Sequence, residues 1–190
     1  MTYALIVIDM QQGSFGVATP RHDAAGVIRR LNRLAAAVRE QGGAVVFVQH
    51  DGPPGDPHHP DAPGWRLLSE LDARAGDAFV RKAACDSFLG TSLDDTLRAR
   101  AARTLIVAGC ATDYCVDTTV RSALARGWPT IVPADGHTTS DRPHLAAAKI
   151  IGHHNAIWAD FLAPAGPAHV KPTETVIHHL AALRAPPQRA

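Results

Sequence analysis

Three side chains suited to acid–base and nucleophilic chemistry follow apolar runs at separate points of the chain. They are Asp9 after residues 3–8, Lys82 after residues 78–80, and Cys115 shortly past residues 104–108. A thiol attacks as the thiolate and needs a base to take its proton; a carboxylate serving as that base needs a cation to stay oriented and ionised. Cys115 also falls in the first turn of a helical pattern, where free N–H groups favour the thiolate. Singly, each residue has an ordinary reading: a capping Asp, a solvated Lys, a small core Cys. Together they form a nucleophile, its base and a cation.

These residues need elements to bring them together. Residues 3–8 and 44–48 are continuous aliphatic runs of the kind buried on both faces of a parallel sheet. Residues 78–80, 104–108 and 130–132 read as further strands, and 169–171 as an edge strand. Between them, Val27, Leu31, Leu34 and Val38 recur at helical spacing until Gly42-Gly43. Ser92 with Asp95 resembles a capping box, Thr112 is a plausible N-cap for a helix ending at Gly127, and Ser140 or Asp141 with Pro143 opens a helix reaching toward Phe161. Residues 65–71 read as a short helix and 173–183 as the last one. This alternation predicts a three-layer α/β/α fold with a mostly parallel, six-stranded Rossmann-like sheet, because parallel neighbours need helical crossovers. One domain is expected over residues 1–184, with a frayed tail at 185–190. In such sheets ligands sit beyond the carboxyl ends of the strands, where all three reactive residues fall.

Composition narrows the partners. The chain of 190 residues has 19 Lys and Arg against 18 Asp and Glu, a formal charge of +1, and no basic block suggests nucleic acid or a membrane. Three cysteines do not make a disulfide framework, and residues 4–8 are too short for a signal or spanning segment, so a cytoplasmic protein with free thiols is expected. Three adjacent histidine pairs, at 58–59, 153–154 and 178–179, match no zinc spacing.

Three blocks resemble the isochorismatase-like cysteine hydrolases, a group that includes nicotinamidases and carbamoyl amide hydrolases. They are Leu5-Ile-Val-Ile-Asp-Met-Gln-Gln-Gly-Ser-Phe15, Lys82-Ala-Ala-Cys-Asp-Ser-Phe-Leu-Gly-Thr-Ser-Leu93 and Gly109-Cys-Ala-Thr-Asp-Tyr-Cys-Val-Asp-Thr-Thr119. They occur in the family's order, within a resemblance running from Tyr3 to about Lys171. It implies that Cys115 is the nucleophile, that Asp9 moves the protons, and that Lys82 holds Asp9 ionised and favours the thiolate. It further implies an oxyanion hole from the backbone N–H groups of Ala111 and Cys115, a cis peptide between Cys110 and Ala111, and a homo-oligomer, dimer or tetramer.

Within that family, vinyl-ether-cleaving members lack the cysteine nucleophile, so Cys115 points to the C–N bond of a small-molecule amide. Nicotinamidases hold a metal through Asp-x-His after the second strand. Here the order is Gln49-His50-Asp51, and Asp56-Pro57-His58 comes only inside a proline-rich loop at 52–64. The expectation is therefore no metal, no cofactor and solvated loop histidines. Phe15, Gln49, Trp65 and Tyr114 are the candidate substrate-binding residues, and Cys85 and Cys110 are expected to be inert. Two alternatives stay open: a nicotinamidase with a divergent metal site, and a non-catalytic ligand-binding or thiol-reactive scaffold.

Overall fold

The computed structural model describes residues 2–16 and 20–183. The expected frayed tail lies outside the described residues. The elements run β1 (Tyr3–Ile8), α1 (Ala24–Glu40), β2 (Ala44–His50), β3 (Ala78–Lys82), α2 (Leu93–Ala99), β4 (Thr104–Cys110), α3 (Asp117–Ala125), β5 (Thr130–Pro133), β6 (His137–Thr138), α4 (Ala147–Ala159), β7 (His169–Lys171) and α5 (Thr173–Ala182). Every strand pairing is parallel, in the order β3-β2-β1-β4-β5-β7. A seventh strand, β6, adds to the six expected; it pairs with the end of β4 over two residues, too short to leave a periodic signal.

Alternation along the strands sorts the core into two layers. Ile6, Ile8, Val46, Val48, Leu105 and Val107 pack with Leu93, Leu97, Val120, Leu124 and Trp158 of α2 to α4. Leu5, Val7, Val45, Phe47 and Ile106 pack on the other face with Val27, Leu31, Leu34 and Val38 of α1 and with Val176 and Leu180 of α5. Burial on both faces is why β1 and β2 read as unbroken apolar runs. Each fully buried leucine here contributes about 1.5–3 kcal/mol. Among the described residues no helix is long and apolar enough to cross a membrane.

Several boundaries differ from the sequence expectation. Residues 65–71 form no α-helix, because β1's continuation claims their backbone: Gln12 N donates to Arg66 O at 2.8 Å and Leu68 N to Met10 O at 3.0 Å, leaving only a 3₁₀ turn at Pro63–Trp65. α4 begins at Ala147, not at Ser140 or Asp141. The Asp141 side chain instead accepts from Ala147 N at 2.8 Å across an intervening Arg142–Leu145 bridge. Ser92 makes no side-chain cap, since Thr91 Oγ1 accepts the Leu93 N–H at 3.2 Å.

Candidate active site

The chain builds β1, β2 and β3 toward one edge and then returns to place β4 on the other side of β1. This reversal opens a crevice at the carboxyl ends of β1 and β4. In-register pairing of Ile8 with both Val48 and Gly109, and of His50 with Lys82, levels the strand ends that carry the reactive groups. Gly109, with φ of +121°, lets β4 approach β1 closely; a Cβ there would run into the Ile8 backbone. Asp9 takes a left-handed φ of +47° directly after β1, and its N–H donates to Val48 O at 2.9 Å.

Asp9, Lys82 and Cys115 meet there. Lys82, the last residue of β3, has a fully enclosed side chain whose Nζ lies 2.8 Å from Asp9 Oδ2, 3.2 Å from Cys115 Sγ and 2.9 Å from Ala84 O. Those three partners use the three donors of the ammonium. Burial pulls the Lys82 pKa down, but the Asp9 charge and the hydrogen bonds to Asp9 and Cys115 outweigh it and leave it raised. Asp9 Oδ1 is buried without a hydrogen-bond partner among the described residues.

The resting state of the thiol differs from the sequence expectation. Burial, followed by the Asp9 charge, pushes the Cys115 pKa strongly up, and Lys82 pulls it down without prevailing. Burial and the Asp9 charge thus both favour the neutral thiol over the thiolate. The expected helix start is also not α-helical: Thr112–Val116 is a single π-helical turn, with Val116 N donating to Ala111 O at 3.1 Å, and α3 begins only at Asp117. Thr112 is not an N-cap. Its buried hydroxyl lies 2.9 Å from Nδ1 of His137, whose Nε2 lies 3.0 Å from Asn155 Oδ1. Since Asn155 Nδ2 donates to Ala134 O at 2.9 Å, its oxygen faces the imidazole, so His137 donates through Nε2 and accepts from Thr112 at Nδ1. The peptide between Cys110 and Ala111 is cis, as the resemblance implies.

Asp9 and Cys115 open on a cleft of about 260 Å³, with Lys82 enclosed behind them; its other walls include Ser14, Arg21, His58, Cys85, Tyr114 and Arg142, with His50, Cys110 and Ala111 between. Of the four expected substrate-binding residues only Tyr114 lines it. Phe15 packs against the α1 side of the core. Gln49 is buried and donates to Trp65 O at 3.0 Å, while the Trp65 indole donates to Asp51 Oδ1 at 2.7 Å, so both residues hold the proline-rich loop and neither lines the cleft. Gln11 reinforces the same anchorage, donating to His50 O and Trp65 O and accepting from His50 N.

Sequence reasoning assigns no site role to Ser14, Arg21, His50, His58 or Arg142: Ser14 lies within the first family block, His50 and His58 enter only as candidate metal ligands, and Arg21 and Arg142 belong to no motif. His58 is not the solvated loop histidine expected. Its Nδ1 lies 3.0 Å and its N–H 2.7 Å from Asp56 Oδ1, and its Nε2 lies 2.9 Å from Ser14 Oγ. The loop reaches this position because Gly64 and Gly13 meet nearly backbone to backbone; a Cβ on Gly64 would strike Pro57 O. The Asp-Pro-His spacing was visible, but which way the loop folds was not. Cys85 and Cys110 both border the cleft; Cys110 is buried, and burial pushes its pKa up to about 12, which disfavours its thiolate. No three His, Cys, Asp or Glu side chains converge as a metal-binding group among the described residues.

With this geometry in view, the comparisons with known proteins identify the class: residues 3–158 match the Isochorismatase domain, and the chain belongs to the isochorismatase family. It is 36% identical over 140 residues to a streptothricin hydrolase of Streptomyces noursei, covering 74% of this chain and 51% of that protein. It is 34% identical over 156 residues to the ureidoacrylate amidohydrolase RutB of Variovorax paradoxus, covering 63% of this chain and 62% of the relative. The chain thus spans only about half to three fifths of the length of these relatives. Among solved structures it superposes with a TM-score of 0.83 on a cysteine hydrolase from Pseudomonas syringae pv. phaseolicola, at 25% identity over 95% of this chain and 92% of the other.

Proposed function

We propose that this protein is a cysteine-dependent hydrolase that cleaves the C–N bond of a small amide or carbamoyl compound through a thioester. The observation that carries this reading is the convergence of Asp9, Lys82 and Cys115, with Nζ 2.8 Å from the carboxylate and 3.2 Å from the sulfur. The names of the hydrolase relatives add to it.

The reaction starts from a neutral thiol. Asp9 takes the Cys115 proton as Sγ attacks the carbonyl carbon, with Oδ1 the open acceptor. The developing oxyanion is held by the N–H groups of Ala111 and Cys115. As the C–N bond breaks, the proton on Asp9 passes to the departing nitrogen, leaving an acyl thioester. Asp9 then takes a proton from water, which attacks the thioester, frees the acid and returns the thiol. Lys82 keeps Asp9 ionised between these transfers and lowers the cost of the transient thiolate.

The test is an amide panel screened for ammonia release with wild type and Cys115→Ala side by side. The expected outcome is a fall of at least about four orders of magnitude in kcat for the folded variant. Intact mass of a slow-substrate mixture should show an acyl adduct on Cys115 in the wild type. Undiminished turnover by Cys115→Ala overturns the reading.

A further inference from the structure

Of the two arginines that line the cleft, Arg21 has no carboxylate partner among the described residues. Lys82 is paired with Asp9, and Arg142 is held by Asp113 through Nε to Oδ2 at 2.8 Å and Nη2 to Oδ1 at 3.0 Å. Arg21 Nε donates to Ser14 O at 2.7 Å, which anchors the guanidinium against the turn at Gln12–Phe15 and leaves its two Nη groups as donors. Beside it, the Ser14 hydroxyl is held by His58 at 2.9 Å, and His58 is in turn fixed by Asp56.

We propose that the amide hydrolysed at Cys115 carries a carboxylate, and that Arg21, with Ser14 as a neighbouring hydrogen-bond partner, binds it. This rests on the cysteine hydrolase reading above and goes beyond it by naming the substrate class. A guanidinium whose two Nη groups have no partner among the described residues suits a carboxylate, which accepts two parallel N–H bonds. The substrate's charge would pair with the Arg21 guanidinium as the cleft is desolvated. A cleft of about 260 Å³ suits a small acid, with the amide at Cys115 and the carboxylate on the wall of Ser14 and Arg21.

The test compares succinamate, a primary amide with a carboxylate at its far end, with succinamide, its neutral diamide counterpart. Ammonia release should favour succinamate. Arg21→Gln should raise the KM for succinamate by about tenfold to a hundredfold, the range expected for hydrogen bonds to a charged group, with little change for succinamide. Arg21→Lys should fall between. A second measurement is independent of turnover and of the variants' folding: in wild type, succinate should slow iodoacetamide alkylation of Cys115 at concentrations where succinamide does not. Equal protection by the two, a preference for succinamide, or equal KM changes for both substrates in Arg21→Gln would overturn the carboxylate site. Failure of the nucleophile reading looks different: it is hydrolysis that survives Cys115→Ala, whatever the substrate charge.

Discussion

The wall that carries Asp9 and Cys115, with Lys82 behind it, grows from the ends of paired parallel strands, whereas the wall that carries Ser14 and His58 is a short turn and a proline-rich loop tied together by side chains, with Arg21 hydrogen-bonded to the turn. In the first, strand register fixes the positions: Ile8 is flanked by Val48 and Gly109, and Lys82 lies opposite His50. In the second, position depends on Gln11 and Gln49 holding Trp65 O, on Asp56 holding His58, and on two glycines meeting closely. A sheet end tolerates a buried ion pair because the backbone around it is already satisfied by the ladder. A loop anchored by a few side-chain bonds can change its contacts at small cost to the fold, and that suits it to specificity. In the proposed reading, the chemistry and the choice of substrate therefore have separate structural foundations.

That separation can be broken experimentally, beginning with the strand-end wall. Asp9→Asn should reduce kcat by about 10²–10⁴-fold, the range for loss of a general acid–base. It should also move the midpoint of Cys115 alkylation by iodoacetamide to lower pH, because the Asp9 charge is one of the causes that raise the thiol's pKa while Lys82 remains to stabilise the thiolate. An alkylation profile identical to wild type would mean that the two side chains are not electrostatically linked.

Support behind that wall should appear as pH-dependent stability. Burial lowers the His137 pKa from the ordinary 6.5 to about 4. Between those values the unfolded chain binds a proton that the folded protein does not, so stability is intact above about pH 6.5 and is lost progressively as pH falls toward 4. The loss reaches about 3 kcal/mol. Urea midpoints at pH 7 and pH 4.5 should show a larger acid-side drop for wild type than for His137→Gln. An equal drop would place the titration elsewhere.

The smallest effect is expected on the loop wall. Gln49→Leu removes the bond to Trp65 O and should cost about 1 kcal/mol in urea unfolding. It should raise KM more than it lowers kcat. A kcat loss comparable to that of Asp9→Asn would show that the loop also serves the chemistry and would end the division between the walls.

How far each wall could be read in advance follows from the same contrast. The apolar runs, the polar residues that stop them and the motif blocks all lie within short stretches, so Asp9, Lys82 and Cys115 could be found one stretch at a time. His137 and Asn155 could not, since they act on the Cys115 turn only through its buried Thr112. Phe15 and Trp65 lie beside stretches with no periodic pattern, and aromatic side chains beside a loop can pack inward as readily as outward. Arg21 carried no motif at all.

By itself the sequence determined the layer order, the parallel sheet and the strand-end reactive residues, because periodicity and residue type constrain these locally. Only the tertiary structure decided the protonation of Cys115, the π-helical turn that carries it, and the inward fold of the proline-rich loop. These depend on how deeply a group is buried and which charges surround it, and on contacts between residues far apart in the chain, none of which a linear pattern records.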